Sequence, residues 1–177
     1  LNGNPDKVTR AVLSLGSNLG LREISILGAV YELGCEDRIE VVAHSSLYET
    51  EPVGGGFSSA FINSVCIVET GWEPLELLGI CKRLEHRYGR RRPAARRDRP
   101  LDIDIVLYGD VSLSLPDLKL PHPRFRERAF VLVPLTEIAP EMQVLQGSIT
   151  AAGILEREPL HGWVRKISSR RVANKTT

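Results

Sequence analysis

Two aspartates, Asp102 and Asp104, stand in the apolar run Leu101–Tyr108, and Arg90, Arg91, Arg92, Arg96, Arg97 and Arg99 crowd the segment just upstream. On a strand, residues two apart project from the same face, so the carboxylates point one way while Leu101, Ile103 and Ile105 point the other. At a rise of about 3.3 Å per residue their Cα atoms fall roughly 6–7 Å apart. Carboxylates at that spacing can converge on cations about 3.5–4 Å apart, as in two-metal phosphoryl-transfer sites. Like charges side by side on an apolar strand are costly unless something compensates them. Magnesium with nucleotide phosphates is one compensator; arginine is the other. The pair therefore also reads as carboxylates salt-bridged to Arg97 or Arg99 on a solvent-facing sheet, and the spacing alone leaves both readings open.

The arginines carry the same double meaning. A guanidinium fork binds phosphate bidentately and stabilises charge that moves during a reaction, yet a basic run is more commonly a solvated loop or an RNA-binding patch. No aromatic residues are interleaved with these arginines as stacking platforms, and the formal net charge of the chain is only +1. A nucleic-acid partner is therefore not expected, and an arginine-rich RNA-binding module without catalysis is the alternative reading. There is no GxxxxGK[ST], and the Gly-Ser-Asn-Leu-Gly run at Gly16–Gly20 fits neither that phosphate loop nor GxGxxG. Phe61, Phe130 and His122 read by default as core or structural residues. Asn63 is different, because an amide among apolar strand neighbours requires a hydrogen-bond partner.

The elements that must position these groups follow from alternation and turn signals. Strands are expected at Arg10–Leu15, Ile39–Glu49, Phe61–Glu69 and Leu101–Tyr108. A helix is expected at Leu21–Leu33, with Ile24, Leu27, Val30 and Tyr31 facing inward and Gly34 as its stop. A second helix runs from about Pro74 to Tyr88 and ends at Gly89. Pro52 and Gly54–Gly56 open a loop. Val111–Leu120 reads as a hairpin partner broken by Pro116, and Phe125–Thr136 as a helix with Pro134 disturbing its end. A short helix near Ala151–Glu158 and a strand around Trp163–Ile167 complete the pattern, and Ser168–Thr177 reads as a frayed tail. The order strand, helix, strand, strand, helix, strand is that of the split βαβ unit of α+β ferredoxin-like folds.

With 177 residues, 42% hydrophobic and 25% charged, the chain reads as one catalytic domain with an ordered core over 8–167. Cys35, Cys66 and Cys81 are widely spaced and odd in number, which argues against disulfides or a zinc site and for a reducing compartment. The polar start, residues 1–10, does not read as a signal peptide, and no apolar stretch approaches the roughly 20 residues of a membrane span. A cytoplasmic protein without membrane contact, monomeric or dimeric, is expected.

Taken in order, Leu13–Gly20, Leu47–Gly54, Phe61–Thr70, Arg99–Asp110, Leu120–Arg124 and Arg128–Pro140 resemble the 6-hydroxymethyl-7,8-dihydropterin pyrophosphokinases of folate biosynthesis, over about Ala11 to Pro140. The resemblance implies a ferredoxin-like α/β/α sandwich and transfer of the pyrophosphoryl group of ATP to a pterin hydroxymethyl group, giving AMP. It implies that Asp102 and Asp104 bind two magnesium ions, and that Arg90, Arg92 and Arg99 contact ATP phosphates, with Arg90 and Arg99 assisting transfer. His122, Arg128 and Glu85 match further nucleotide-site positions. Thr50, Glu51 and Val53 match the segment that reads the pterin edge, Gly16 a glycine that lets backbone approach the same pocket, Asn63 its hydrogen-bonding amide, and Phe61 and Phe130 the aromatic pair about the ring. The chain departs from the family pattern in its arginine loop, which is slightly shorter, carries Arg96 where a tryptophan is frequent, and includes Asp98.

Overall fold

A computed structural model of the chain describes residues 8–52, 57, 59–90, 98–145, 149–157, 160 and 162–167. A six-stranded sheet forms its centre. Strand β1 (Thr9–Ser17) lies between β4 (Phe61–Thr70) and β5 (Asp102–Tyr108), antiparallel to both. On its other side β4 pairs with β2 (Ile39–His44) along one half and β3 (Tyr48–Thr50) along the other. β10 (Val164–Lys166) adds an edge beyond β3. Helix α1 (Arg22–Cys35) joins β1 to β2, and α2 (Pro74–Arg87) joins β4 to β5. Each crossover skips a neighbour, which gives the ferredoxin-like order expected from the sequence.

Both helices cover one face of the sheet. Leu13 and Leu15 of β1, Ile62, Cys66 and Val68 of β4 and Ile103 and Ile105 of β5 pack there against Ile26, Ala29 and Leu33 of α1 and Leu77, Ile80 and Leu84 of α2. Fully burying each leucine, isoleucine or valine of this set contributes about 1.5–3 kcal/mol relative to leaving it in water. The inward face of α1 differs from expectation. Ile24 and Tyr31 are 62% and 74% exposed and Leu27 is also exposed, whereas Ser25, Ile26, Ala29 and Leu33 are buried. The helix has apolar residues on two sides, so its 3.6-residue period fits either stripe, and only docking on the sheet selects between them.

The other face is covered over half its length. There α3 (Ala129–Ile138) and α4 (Ala151–Arg157) pack Val131, Leu132, Leu135, Ala151 and Ile154 onto Val12, Val65, Ile67 and Val106. Pro134 lies inside α3 rather than at its end, and a 3-10 turn at Phe125–Glu127 precedes the helix. The expected strand Ile39–Glu49 is divided. Ser45 donates its amide to Val65 O at 2.9 Å and accepts the Val65 amide on its hydroxyl at 3.0 Å, so a side chain replaces one rung of the ladder. Val111–Leu120 does not pair with β5 as a hairpin partner. It folds on itself as β6 (Leu113–Ser114) and β7 (Lys119–Leu120), closed by Leu115 N–H to Leu118 O at 2.9 Å around Pro116, which suits a turn because it has no amide to donate. A small pair, β8 (Gln143–Leu145) with β9 (Ile149–Thr150), was not anticipated. Among the described residues no helix is long and apolar enough to cross a membrane.

Candidate active site

The uncovered half of the second face is polar because of register. Ser14 of β1 stands between Val65 and Asp104, and Gly16 between Asn63 and Asp102. Side chains opposite one another in antiparallel strands share a face, so Ser14, Asn63, Asp102 and Asp104 project into one cavity of about 330 Å³. Gly16, Thr50, Glu51, Phe61, Arg90, Arg99, His122, Arg128 and Phe130 line the same cavity. Glu85 lies beneath it, and Val53 and Arg92 fall outside the described residues.

Each wall has a local cause. A Cβ on Gly16 would come within 2.7 Å of Asn63 Oδ1, so only glycine lets the Asn63 amide lie across β1. Asn63 Nδ2 donates to Thr50 Oγ1 at 2.6 Å, which satisfies one amide proton. The Glu51 amide is taken by Trp163 O at 3.2 Å. Helix α2 starts in a capping box in which Glu73 and Glu76 each accept the other's backbone amide, with Pro74 in its first turn. It ends at Gly89, with φ +91°, where the Arg90 and Gly89 amides close on the carbonyls of Glu85 and His86. That left-handed exit turns the Arg90 guanidinium back over the helix end.

Glu85 is the buried keystone under the carboxylates, only 3% exposed. It accepts the Ile103 amide at 2.8 Å and Lys82 Nζ at 2.9 Å, and lies 2.7 Å from Arg90 Nη1. Burial raises its pKa, opposed by the Ile103 and Lys82 bonds. Arg90 also pairs with Asp102; although burial disfavours its charge, Asp102 and Glu85 prevail and raise its pKa. Arg99 Nε lies 3.1 Å from Asp102 Oδ2, and Arg128 Nη1 is 3.3 Å from Asp104 Oδ2. The salt-bridge reading of the aspartates is therefore realised, with Arg90 and Arg128 as additional partners. Asp102 is 17% exposed and Asp104 37%, so Asp104 is the more open to the cavity.

Among the described residues Arg128 Nε is buried without a hydrogen-bond partner, while Arg99 Nε faces Asp102 Oδ2 as an ion pair but makes no hydrogen bond to it. A buried N–H group without an acceptor is costly, and that of Arg128 flanks the carboxylates, where a polyanion would supply an oxygen. The Arg99 guanidinium also stacks over Phe57 and Phe61, at 5.7 and 5.3 Å from the ring centres, and Arg128 over Phe130 at 5.3 Å. The Arg124 amide points at His122 Nδ1 from 3.2 Å and Arg128 Nη1 lies 3.3 Å from Nε2. Burial and then Arg128 lower the His122 pKa, against Asp104, which raises it.

Sequence reasoning missed Ser14, Phe57, Lys82 and Arg124, which also line the cavity. Ser14 had a usable signal, a hydroxyl on the alternation face of β1 that breaks an apolar series. Phe57 and Lys82 had none, because their approach depends on loop and helix geometry. The structure also gives Asp98 a partner, Asn18 Nδ2 at 2.5 Å.

A sequence model of the family described as 7,8-dihydro-6-hydroxymethylpterin-pyrophosphokinase (HPPK) matches residues 12–140. The chain belongs to this family. It is 40% identical to the 2-amino-4-hydroxy-6-hydroxymethyldihydropteridine pyrophosphokinase of Methylorubrum extorquens over 86% of this chain and 96% of that protein. It is 38% identical to the Bacillus subtilis protein of the same name over 75% of this chain and 80% of that one. Among solved structures it is similar to wild-type Plasmodium falciparum HPPK-DHPS with pteroate, with a TM-score of 0.68 at 17% identity. That match covers 85% of this chain and 42% of the larger one, and supports the fold alone.

Proposed function

We propose that the cavity transfers the pyrophosphoryl group of ATP to the hydroxymethyl oxygen of 6-hydroxymethyl-7,8-dihydropterin, releasing AMP and the pterin diphosphate of folate biosynthesis. Family membership supports the reaction. The observation that carries the residue assignment is the meeting, in one cavity, of paired carboxylates, arginines among which Arg128 keeps a buried N–H without a partner, and an amide with aromatic neighbours.

In this reading Asn63 and the Thr50–Glu51 segment read the polar edge of the pterin, and Phe61 and Phe130 hold its ring faces. A flat heteroaromatic gains from such stacking, and a wrong ligand leaves the polar groups unpaired. Val53 and Arg92 are assigned to the pterin edge and the phosphates on resemblance alone. Asp102 and Asp104 fit magnesium. Both offer hard oxygens, and no group of three or more His, Cys, Asp or Glu among the described residues could hold a metal. Magnesium is commonly held by one or two carboxylates, with phosphates and water completing its shell. Two such ions, held by Asp102 and Asp104, would offset the negative charge of the triphosphate when bound.

The remaining steps belong to the chain. Arg128 turns its unpaired Nε–H, and Arg99 its guanidinium, to phosphate oxygens, Arg90 is held at the carboxylates by Glu85, and His122 and Arg128 complete the nucleotide side. The pterin oxygen attacks the β-phosphorus directly, so no side chain becomes a covalent nucleophile. Phe57, Phe61 and the stacked Arg99 exclude water that would otherwise hydrolyse ATP. The substrates are small molecules, and the setting proposed is the cytoplasm, with a monomer or dimer as the acting form. Incubation with ATP, magnesium and the pterin, with nucleotides quantified, tests the reaction. AMP formed in step with pterin consumption is expected, and ADP in its place would overturn it.

A further inference from the structure

At the end of β1, Asn18 is 2% exposed and holds segments of chain far apart in sequence. Its Oδ1 accepts the Arg99 amide at 2.7 Å, its own amide donates to Arg99 O at 3.1 Å, and its Nδ2 donates to Asp98 at 2.5 Å. Its carbonyl accepts the Ser59 hydroxyl at 3.0 Å. Both backbone groups of Arg99 are thus fastened to one residue, which sets where the guanidinium starts. From there it reaches Asp102 on one side and lies over Phe57 and Phe61 on the other.

We infer that Asn18 is a positioning residue for transfer: it fixes the Arg99 backbone so that the guanidinium addresses the phosphates, and through Ser59 it ties the loop beside Phe57 to the same point. The inference rests on the proposed role of Arg99. An alternative in which Asn18 only terminates β1 accounts for its amide bond to Arg99 O. It does not account for a side chain whose Nδ2 and Oδ1 bind Asp98 and Arg99, 80 and 81 residues away by sequence number. Buried polar side chains satisfied in this way rigidify what they hold, and a small displacement of a charge-stabilising group costs rate more than binding.

The test uses the full chain in the AMP assay together with amide exchange followed by NMR. In Asn18→Ala, kcat should fall about 10- to 100-fold, the range expected when one hydrogen bond to a buried group is lost, with the KM for either substrate changing about 3-fold or less. The Arg99 amide should lose its exchange protection. Adding Asn18→Ala to Arg99→Ala should cost no further activity, because residues acting through one another are non-additive. Multiplying effects in the double variant, or an Arg99 amide that stays protected, would overturn the inference. Should Asn18→Ala fail to fold, Asn18→Asp combined with Asp98→Asn keeps the acceptor for the Arg99 amide and reverses the hydrogen bond between positions 18 and 98, so that no two carboxylates meet. It should preserve that protection, and exchange as fast as in unfolded chain would count against the assignment. Wild-type protein that forms no AMP would sink the proposed reaction, whereas the exchange result needs no turnover and shows by itself whether Asn18 fixes the Arg99 backbone.

Discussion

The second face of the sheet has two halves built on the same strands. In one, Val12, Val65, Ile67 and Val106 lie dry beneath α3 and α4. In the other, a few residues along, Ser14, Asn63, Asp102 and Asp104 take the equivalent positions and open into the cavity. Backbone pairing continues through both, so the sheet does not need the polar residues for its hydrogen bonds. What changes is the cover: helices over one half, loops carrying arginine and phenylalanine over the other. The apolar half supplies folding free energy, and under the proposed function the polar half gives up some of it for chemistry, a trade common where charge must be held ready.

Exchanging the character of the halves should break this contrast. The largest effect on folding is expected from Val65→Asp. Val65 is fully buried beneath the helices, and an unpaired carboxylate there should cost several kcal/mol, comparable with the about 5–15 kcal/mol by which whole domains are stable. Circular dichroism should show an unfolded or grossly destabilised chain. Leu132→Ala, which hollows the fully buried contact of α3, should cost about 2–5 kcal/mol in denaturant titration while leaving kcat of the folded fraction unchanged. In the polar half the balance should invert. Asn63→Ala removes the bond to Thr50 Oγ1 and should change stability by about 1 kcal/mol, yet raise the pterin KM by about 10- to 100-fold.

A smaller and pH-dependent effect is expected outside both halves. Glu137 accepts from Lys166 Nζ, from the Ser46 amide and hydroxyl and from Tyr48 Oη. Burial opposes its charge, but these bonds win and hold its pKa down to about 2. A depressed carboxylate stabilises fully above its unfolded pKa of about 4.3 and loses that contribution as pH falls through the folded value. Glu137→Gln should therefore flatten the loss of stability between about pH 4.3 and 2 relative to wild type, read from urea titrations at stepped pH. Equal slopes in both proteins would remove the assignment.

Much of this was legible in the residues. Alternation on Leu101–Tyr108 put Asp102 and Asp104 on one face, and the amide of Asn63 was marked as needing a partner that proved to be Thr50. Pro74 and Gly89 bounded α2 because their backbone constraints are local. The failures were contests between local and tertiary preference. In α1, Ile24, Leu27 and Tyr31 mimic an inward stripe, and only the sheet decides that Ile26, Ala29 and Leu33 go inside. The division of Ile39–Glu49 depends on the Ser45 hydroxyl outcompeting a backbone carbonyl for the Val65 amide, which strand propensity does not register. Asn18 passed unnoticed because its partners, Asp98 and Arg99, are close to it only in the fold.

The contrast between the halves is tested most directly by Asp104→Val, which extends the apolar series of the covered half into the open one. Pterin-dependent AMP formation across a magnesium titration, measured beside the thermal midpoint, gives both sides of the comparison from one protein. Turnover should fall by about 1,000-fold or more at every magnesium concentration, as expected for loss of the metal ligand proposed here, with a midpoint equal to or above that of wild type. Turnover within about 10-fold of wild type, a difference of about 1.4 kcal/mol in barrier, would contradict the placing of the chemistry at Asp104.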